Sequence, residues 1–479
     1  MEAVTVDPNE SRPSDLPRTL GELRASGHHE RSVKQEIRDN LLSALAQGED
    51  VWPGIFGFSD TVLPQLERAL IAGHDVVLLG ERGQGKTRLL RSLVNLLDEW
   101  TPVIDGAELG EHPYSPITPA SIRRAAELGD DLPIAWRHRS QRYTEKLATP
   151  DTSVADLVGD IDPIKVAEGR TLGDPETIAF GLIPRSHRGI VAVNELPDLA
   201  ERIQVSMLNV MEERDIQVRG YTLRLPLDVL VVASANPEDY TNRGRIITPL
   251  KDRFGSQIRT HYPLEVETEV AIMRQEARPA SVGNVNVRVP DYMEEVIATL
   301  SHLARSSSQV NQRSGVSVRL SVSNSEVLAA NALRRALRAG ETEVVPRVCD
   351  LGAIAASTSG KIEIESLEDG REGAILENLV RAAVLTVYKQ RVTPDQVRDV
   401  IAAFDEGVVA HTGEDIASAD EVALLESVPA LRGPVTALAG ADQSPAALAA
   451  AVEFVLEGLH LSKRLNKDAS GSRATYRGR

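Results

Sequence analysis

Short, continuous runs of apolar residues mark the buried strands of this chain. They occupy Val76–Leu79, Ile190–Val193 and Leu230–Ala233, and a weaker run extends over 257–262. Unbroken apolar runs of this length are typical of parallel strands that are covered on both faces. Helix-like segments separate the runs, and strands that alternate with helices predict a doubly wound α/β domain. We place this domain at residues 53–264.

Beyond Pro263 the apolar positions recur at the spacing of helices. We predict a helical lid domain at residues 265–405 and a C-terminal helical region at residues 406–479, which ends in a solvated, disordered basic tail. Residues 1–52 read as a polar leader followed by short helices. The predicted helices after Pro263 are Val266–Gln275, Met293–Ala304, Ser325–Arg338, Ile375–Tyr388, Pro394–Phe404 and Ala446–Leu461.

Composition and charge narrow the class of protein. A chain of 479 residues predicts two to four domains. The single cysteine cannot form an internal disulfide, and the sequence shows neither an export signal nor a long apolar run. We therefore expect a cytoplasmic protein without a membrane partner. The 53 basic and 70 acidic side chains give a net charge of −17, which repels nucleic acid at long range, so a nucleic-acid partner is not expected.

A glycine-rich octapeptide follows the first apolar run directly. Its glycines let the backbone fold into a nest whose N–H groups point at the phosphates of a nucleotide. In such a P-loop Lys86 reaches the β and γ phosphates, and Thr87 binds Mg²⁺. The helix-like segment Arg88–Leu97 supplies the expected context, whereas a chance glycine-rich turn is the alternative. The predicted ATP-binding residues are Gly80, Glu81, Arg82, Gly83, Gln84, Gly85, Lys86 and Thr87.

The second apolar run ends in Asn194 and Glu195, which is the position of the Walker B pair in a P-loop ATPase. Glu195 is the candidate for polarising an attacking water molecule. The alternative is an acidic residue beside the start of a helix near Asp198. Asn194 stands where an aspartate usually holds Mg²⁺ and its waters. Its neutral amide predicts a weaker metal site, formed by Thr87 and Asn194.

Two further polar residues follow the third and fourth strands. Asn236 would orient the attacking water if its strand lies between the other two, although an asparagine before a proline is also an ordinary turn residue. Arg253 is the candidate for a finger that acts on the γ phosphate of a neighbouring subunit. A surface ion pair is the alternative for Arg253, and Arg243 and Arg245 are reserves for the same role.

The order of these motifs resembles that of the AAA+ ATPases, and more narrowly that of the ATPase subunit I of magnesium chelatase and its MoxR-like relatives. Beyond the P-loop, the resemblance rests on Asp156–Asp162, on Gly181–Ile190, and on Ala235–Glu238 followed by Lys251–Gly255. It covers residues 53–340 well and the remainder loosely.

The resemblance implies an α/β P-loop core with a parallel sheet, followed by an all-helical lid. It also implies ATP hydrolysis with Mg²⁺ by a homo-oligomeric ring, expected to be a hexamer, and a separate partner protein with a von Willebrand factor A domain. A β-hairpin insertion belongs at Leu157–Phe180. A second sensor arginine belongs at the start of a lid helix, where Arg319 matches loosely. The alternatives are Arg313 in that role, or an ordinary helix-surface arginine at position 319. The predicted catalytic residues are Glu195, Asn236, Arg253 and Arg319.

Two other functions stay open at this point. An enhancer-type activator of sigma-54 transcription shares the ATPase core, but it needs a Gly-Ala-Phe-Thr-Gly-Ala loop and normally a helix-turn-helix, and the sequence shows neither. A nucleotide-binding scaffold with weak catalysis is the second alternative. The presence of Lys86, Glu195 and Arg253 argues against it.

Overall fold

The computed structural model describes residues 13, 15–169, 175–212, 216–218, 221–223, 225–236, 244–281, 285, 287–312, 314–364 and 371–479. Contacts between residues divide the chain into two units, the first ending at His261 and the second beginning at Tyr262. The finer domain boundaries that the sequence suggests, at residues 53, 265 and 406, stay predictions.

The first unit alternates strands and helices. Its described strands are β1 (Val76–Leu79), β2 (Trp100–Ile104), β3 (Ile134–His138), β4 (Tyr143–Leu147), β5 (Gly159–Ile161), β6 (Ile178–Phe180), β7 (Gly189–Asn194), β8 (Ile216–Val218), β9 (Tyr221–Leu223), β10 (Val229–Ala235) and β11 (Ser256–Arg259). Its described helices are α1 (Leu20–Ala25), α2 (Val33–Gln47), α3 (Leu63–Ile71), α4 (Lys86–Ser92), α5 (Pro119–Leu128), α6 (Val154–Leu157), α7 (Pro163–Ala167), α8 (Leu182–Arg185), α9 (Glu201–Glu212) and α10 (Thr248–Arg253).

A parallel sheet with the strand order β11-β1-β10-β7-β4 forms the centre of this unit. The three apolar runs of the sequence lie in β1, β10 and β7, which are buried along their whole length. Alternate residues of these strands face opposite helical layers: Val76 packs with α2 and α3, whereas Val77 packs with α9. The predicted α/β fold with a parallel sheet is confirmed.

The edge strand β4 has no counterpart among the apolar runs of the sequence. Its residues are Tyr-Thr-Glu-Lys-Leu, and they are half-buried or exposed. A strand at the edge of a sheet lacks a neighbour on one side, so its sequence does not show the continuous apolar run of a central strand. The antiparallel pairs β2–β3 and β8–β9 were likewise not predicted, whereas β5 and β6 form the hairpin expected within Leu157–Phe180.

A buried ion pair attaches the second helix of the chain to the edge of the sheet. Arg142, just before β4, donates to both carboxylate oxygens of Glu36 in α2, each at 2.6 Å. Both side chains are almost fully buried. The third donor, Arg142 Nε, binds the carbonyl of Arg188 at 2.8 Å, and Glu36 also accepts from the Asp98 amide at 2.7 Å. The buried charges are therefore paired and hydrogen-bonded, as burial requires.

The second unit is mainly helical, as predicted. Its described helices are α11 (Val266–Glu276), α12 (Asp291–Ser306), α13 (Arg319–Ala339), α14 (Ala355–Ser359), α15 (Glu372–Arg391), α16 (Arg398–Asp405), α17 (Ser418–Val422), α18 (Leu424–Ser427), α19 (Arg432–Ala439) and α20 (Pro445–Leu461). Its described strands are β12 (Val409–Gly413), β13 (Asn466–Ser470) and β14 (Arg473–Arg477), which form an antiparallel sheet in the order β12-β14-β13.

The prediction of a disordered basic tail is wrong, because residues 466–477 form two strands of this sheet. Tyr476 is buried, and its hydroxyl donates to Glu457 of α20 at 2.6 Å. Three basic side chains of the tail have acidic partners: Lys467 pairs with Glu457, Arg473 pairs with Asp415, and Arg477 pairs with Asp468. The C-terminal region is therefore not purely helical. Its charge pattern suggested a solvated end because two of these acidic partners, Glu457 and Asp415, lie outside the tail itself.

Within the described residues, no single helix has both the length and the apolar character needed to cross a membrane. One bent pair of short helices, Ser418–Ser427 with Pro429–Ala439, meets that test when the two are taken together.

A cluster of buried charges lies inside the second unit. Arg347 is fully buried and binds Glu421 at 3.2 Å, while its backbone N–H donates to Asp350 at 2.8 Å. Asp350 also accepts from Arg335. Burial, and secondly the neighbouring carboxylate of Glu453, raise the pKa of Glu421 to about 10. Glu421 therefore keeps its proton to a higher pH than an exposed glutamate does, although the Arg347 guanidinium acts in the opposite direction on its pKa.

We expect Glu421→Gln to stabilise the protein increasingly as the pH rises. The pKa of Glu421 goes from 4.5 in its ordinary state to about 10 in the fold. Below pH 4.5 the native carboxyl is protonated in both states. Between pH 4.5 and about pH 10, the carboxyl group ionises in the unfolded protein but stays protonated in the folded protein. The free energy of unfolding of the native protein therefore falls as the pH rises, at most by roughly 1.4 kcal/mol per pH unit. Glutamine does not titrate and avoids this loss.

Urea unfolding of the native protein and of the variant between about pH 5 and 9 measures the difference. Glu426→Gln, at an exposed position of α18, is the matched control and should show no such trend. A stability difference that does not change with pH would contradict the raised pKa of Glu421.

Candidate nucleotide site

The P-loop connects β1 to α4, as the sequence predicts. Gly83 and Gly85 have φ angles of +73° and +74°, which glycine adopts without strain. Gly85 is the N-cap residue of α4, so Lys86 and Thr87 open the first turn of this helix. A 3₁₀ turn, Leu93–Leu96, continues α4.

Two hydrogen bonds of Gln84 fix the shape of this loop. The side chain of Gln84 is buried, and its Oε1 accepts from the Glu81 amide at 3.1 Å and from the Thr260 hydroxyl at 2.8 Å. Thr260 follows β11, the neighbour of β1. A Cβ atom on Gly80 would collide with the Thr260 Oγ1 atom, so this close approach requires glycine. Gln84 therefore holds the P-loop to the adjacent strand, a role that sequence reasoning missed.

The ammonium group of Lys86 is buried and connects the P-loop to the neighbouring strand β10. It donates to the carbonyl of Gly80, to the carbonyl of Glu81 at 2.8 Å, and to Oδ1 of Asn236 at 2.8 Å. A buried ammonium needs such partners, because an unpaired charge is costly inside a protein.

Asn236 continues this chain of hydrogen bonds to Glu195. Its Nδ2 donates to Oε2 of Glu195 at 2.8 Å. Asn236 follows β10 and Glu195 follows β7. Strand β10 lies between β1 and β7, which is the arrangement that the predicted role of Asn236 requires. Glu195 has a φ of +55° and its backbone N–H donates to the Ser234 hydroxyl at 3.2 Å. Such a left-handed conformation is strained for a residue other than glycine and is frequent at functional sites.

Asn194 lies beside Glu195, and its amide bridges two strands. Its Nδ2 donates to Oε1 of Glu145 on β4 at 2.7 Å, and its Oδ1 accepts from Ser234 on β10 at 3.2 Å. Glu145 in turn accepts two hydrogen bonds from Arg91 of α4, at 2.7 and 2.9 Å. No sequence pattern pointed to Glu145, because β4 shows no apolar run.

The donor set at this edge of the sheet suits Mg²⁺. The Thr87 hydroxyl, the Asn194 amide oxygen and the Glu195 carboxylate all offer oxygen atoms, which hard cations prefer. Mg²⁺ in nucleotide sites keeps several waters and takes few protein ligands, so the residues present fit this ion.

The candidate arginines are not adjacent in sequence to the residues of this cluster. Arg253 ends α10 and forms an ion pair with Glu212 at the end of α9, with Nε at 2.9 Å from Oε2. Arg245 is exposed, and Arg243 lies outside the described residues. Arg319 begins α13 in the second unit with an exposed side chain, and Arg313 lies outside the described residues. The predicted roles of Arg253 and Arg319 stay predictions.

Comparisons with known proteins identify relatives of this chain. The model of the sigma-54 interaction domain family matches residues 170–253. The 38 kDa subunit of magnesium chelatase from Cereibacter sphaeroides is 31% identical over 210 residues, which are 41% of this chain and 54% of that protein. The chloroplastic subunit ChlI-1 of Arabidopsis thaliana is 25% identical over 335 residues, which are 68% and 66% of the two chains.

The chain spans about half the length of several curated relatives that it matches. Among solved structures, a complex between subunits BchI and BchD of magnesium chelatase matches with 18% identity, 65% coverage of this chain, 97% coverage of that chain and a TM-score of 0.34. NtrX from Brucella abortus in complex with ATP matches with 14% identity, 79% and 67% coverage and a TM-score of 0.37.

The family match and the sequence matches make this chain similar to AAA+ ATPases. Within that class, the sequence matches confirm the resemblance to subunit I of magnesium chelatase. The further resemblance to MoxR-like proteins stays a prediction.

We expect Thr260→Val to weaken nucleotide binding roughly fivefold, which is the worth of one hydrogen bond. The valine cannot donate to Gln84, so the P-loop loses its attachment to the end of β11. Titration with a fluorescent ATP analogue measures the dissociation constant. Thr260→Ser keeps the hydroxyl and is the matched control. Equal affinities of the two variants would show that the Gln84–Thr260 hydrogen bond does not shape the site.

Proposed function

We propose that this chain is an ATP-hydrolysing AAA+ protein that works as a ring and changes the conformation of a partner protein. The proposal rests on one observation: a series of hydrogen bonds runs from Lys86 through Asn236 to Glu195. It places a cation, an amide and a carboxylate at the carboxyl ends of adjacent parallel strands, which is where open α/β sheets bind ligands.

In this proposal the P-loop binds ATP. Its backbone N–H groups and the ammonium of Lys86 bind the phosphates of ATP. The carbonyls of Gly80 and Glu81 hold this ammonium at the loop, where the phosphates would lie. Thr87 and Asn194 would hold Mg²⁺, which neutralises phosphate charge when bound.

Glu195 promotes hydrolysis in this proposal, because its carboxylate orients and polarises the attacking water. The Nδ2 group of Asn236 fixes the orientation of this carboxylate. Because Asn236 also binds Lys86, the amide connects the residue that binds phosphate to the residue that activates water. This arrangement supports Asn236 as a sensor of the γ phosphate.

Assembly into a ring, with a hexamer as the expected state, would supply Arg253 to the site of the neighbouring subunit. The ion pair between Arg253 and Glu212 leaves the guanidinium charged and one-third exposed in the single chain. A finger of this kind stabilises charge that develops during phosphoryl transfer. Arg319 is the proposed second sensor from the lid.

The partner follows from the resemblance to subunit I of magnesium chelatase. We expect a separately encoded protein with a von Willebrand factor A domain, whose Mg²⁺ site binds a carboxylate of this acidic chain. A cytoplasmic location goes with this proposal.

A second candidate function is an enhancer-type activator that acts on sigma-54. The match of its family model to residues 170–253 favours it. The chain lacks the Gly-Ala-Phe-Thr-Gly-Ala sequence with which such activators contact sigma-54. The match therefore supports the shared ATPase core, and the chelatase-like function remains our proposal. A nucleotide-binding scaffold without turnover is the third candidate, which phosphate release distinguishes directly.

We expect Lys86→Ala to abolish ATP binding and Glu195→Gln to preserve it. The first variant removes the charge that binds the phosphates, whereas the second removes only the carboxylate that polarises water. Glu195→Gln should slow phosphate release roughly 100-fold or more. Equilibrium binding of labelled ATP and a phosphate-release assay separate the two effects, with circular dichroism as the check on folding. Undiminished turnover by Lys86→Ala would exclude the P-loop as the site.

A finger supplied by the neighbouring subunit predicts that activity rises with protein concentration and that Arg253→Ala lowers turnover roughly 1,000-fold with little change in ATP affinity. Mixing Arg253→Ala subunits with Lys86→Ala subunits should restore activity at interfaces that join an intact P-loop to an intact Arg253. Energy transfer between differently labelled subunits establishes that the subunits mix. Mixed rings without recovered phosphate release would place the role of Arg253 within its own subunit.

A further inference from the structure

A carboxylate lies beside the position where the Walker B motif has an amide. Glu145 is on β4, the direct neighbour of β7, and β4 pairs with β7 in parallel register. Its Oε1 accepts the hydrogen bond from Nδ2 of Asn194 at 2.7 Å. Asn194 is only 7% exposed, so water offers its amide little alternative.

This hydrogen bond determines which way the Asn194 amide points. With its N–H₂ group on Glu145, the Oδ1 atom faces Ser234 on β10, the strand that precedes Asn236. The opposite orientation would place an amide oxygen against a carboxylate and would lose the hydrogen bond. An amide oxygen carries two acceptor positions, so Oδ1 retains one position beyond its bond to Ser234.

Glu145 is itself fixed from the side of α4. Arg91 Nε binds Oε2 at 2.7 Å and Arg91 Nη2 binds Oε1 at 2.9 Å, a bidentate geometry. The Tyr143 hydroxyl donates to Oε2 at 3.3 Å. Together with Asn194, these donors use the acceptor positions of the carboxylate, about four in all, so Glu145 acts on a metal through Asn194 rather than directly.

Helix α4 also carries the predicted metal ligand of the P-loop. Thr87 and Arg91 are one helical turn apart, so they lie on the same face of α4. The Arg91–Glu145–Asn194 hydrogen bonds therefore join the Thr87 face of α4 to the strand that bears Asn194.

We propose that Glu145 is a positioning residue for the Mg²⁺ site: its carboxylate fixes the Asn194 amide with Nδ2 toward β4 and Oδ1 toward β10, and it increases the negative charge on that oxygen. A carboxylate that accepts a hydrogen bond from a metal ligand tunes the ligand in this way. Glu145 thereby compensates in part for the aspartate that position 194 lacks. The inference rests on the proposed function, because it takes the P-loop to bind Mg²⁺ with ATP.

A cycle of variants tests the proposal, with the Mg²⁺ concentration that half-saturates binding of a non-hydrolysable ATP analogue as the readout. Glu145→Ala should raise this concentration roughly tenfold, while the affinity for the analogue without Mg²⁺ stays unchanged. Asn194→Asp alone should bring no improvement, because its carboxylate would face the Glu145 carboxylate across one hydrogen-bond distance. The double variant Glu145→Gln/Asn194→Asp should require less Mg²⁺ than the native protein, since the amide introduced at position 145 can donate to the new carboxylate.

The coupling between positions 145 and 194 decides the outcome. The effect of Asn194→Asp on the half-saturating Mg²⁺ concentration is measured in the native background and in the Glu145→Gln background. The proposal holds if the change lowers this concentration at least about threefold more in the Glu145→Gln background. A smaller difference overturns it, because Glu145 then acts independently of position 194. Should Glu145→Ala fail to fold, the Glu145→Gln and Asn194→Asp variants still complete the cycle.

Two further measurements keep this result separate from the proposed function. Glu127→Gln, which removes an exposed carboxylate on α5, is the matched control and should leave the Mg²⁺ titration unchanged. A native protein that binds no ATP analogue at any Mg²⁺ concentration would overturn both the proposed function and this inference. A protein that binds the analogue but shows no coupling would overturn the inference alone.

Discussion

The buried ammonium of Lys86 is the constraint on which the site depends. A charge in the interior must be surrounded by acceptors, and the chain provides two loop carbonyls and the amide of Asn236. These partners lie after different strands, β1 and β10, so the charge holds the P-loop and the side chain of Asn236 together. Asn236 also donates a hydrogen bond to Glu195, which follows β7, so the network of hydrogen bonds extends to a third strand. The parallel sheet supplies the edge, and the charge of Lys86 organises the side chains along it.

Polar contacts outside this group hold the same edge from both sides. On one side, Gln84 attaches the P-loop to Thr260 at the end of β11. On the other side, Glu145 attaches Asn194 to β4 and, through Arg91, to α4. Each strand of the sheet therefore contributes to the position of the site residues. Rigid support of this kind is what precise positioning of catalytic groups requires.

The sequence predicts those parts of the fold that depend on local pattern. The three central strands of the parallel sheet are apolar along their length, and each is recognisable from its own residues. The edge strand β4 was missed because it pairs with one strand only, β7, and its sequence is not apolar throughout. The position of Glu145 was missed for the same reason. The tail was wrongly predicted for a related reason: Asp415 and Glu457, which pair with two of its basic residues, lie outside it. The side chain of Gln84 acts through Thr260, which only the three-dimensional structure brings near.

The ion pair between Glu36 and Arg142 bears on where the nucleotide-binding core begins. A fragment that starts at residue 53 would retain the P-loop, β7 and β10, yet it would lack α2 and with it Glu36. Arg142 would then keep a guanidinium in the interior with a single carbonyl partner from its present set, that of Arg188. An uncompensated charge at such a position costs about 3–5 kcal/mol, a large share of the stability of a typical domain. The helix that precedes the predicted α/β domain is thus part of its folding unit.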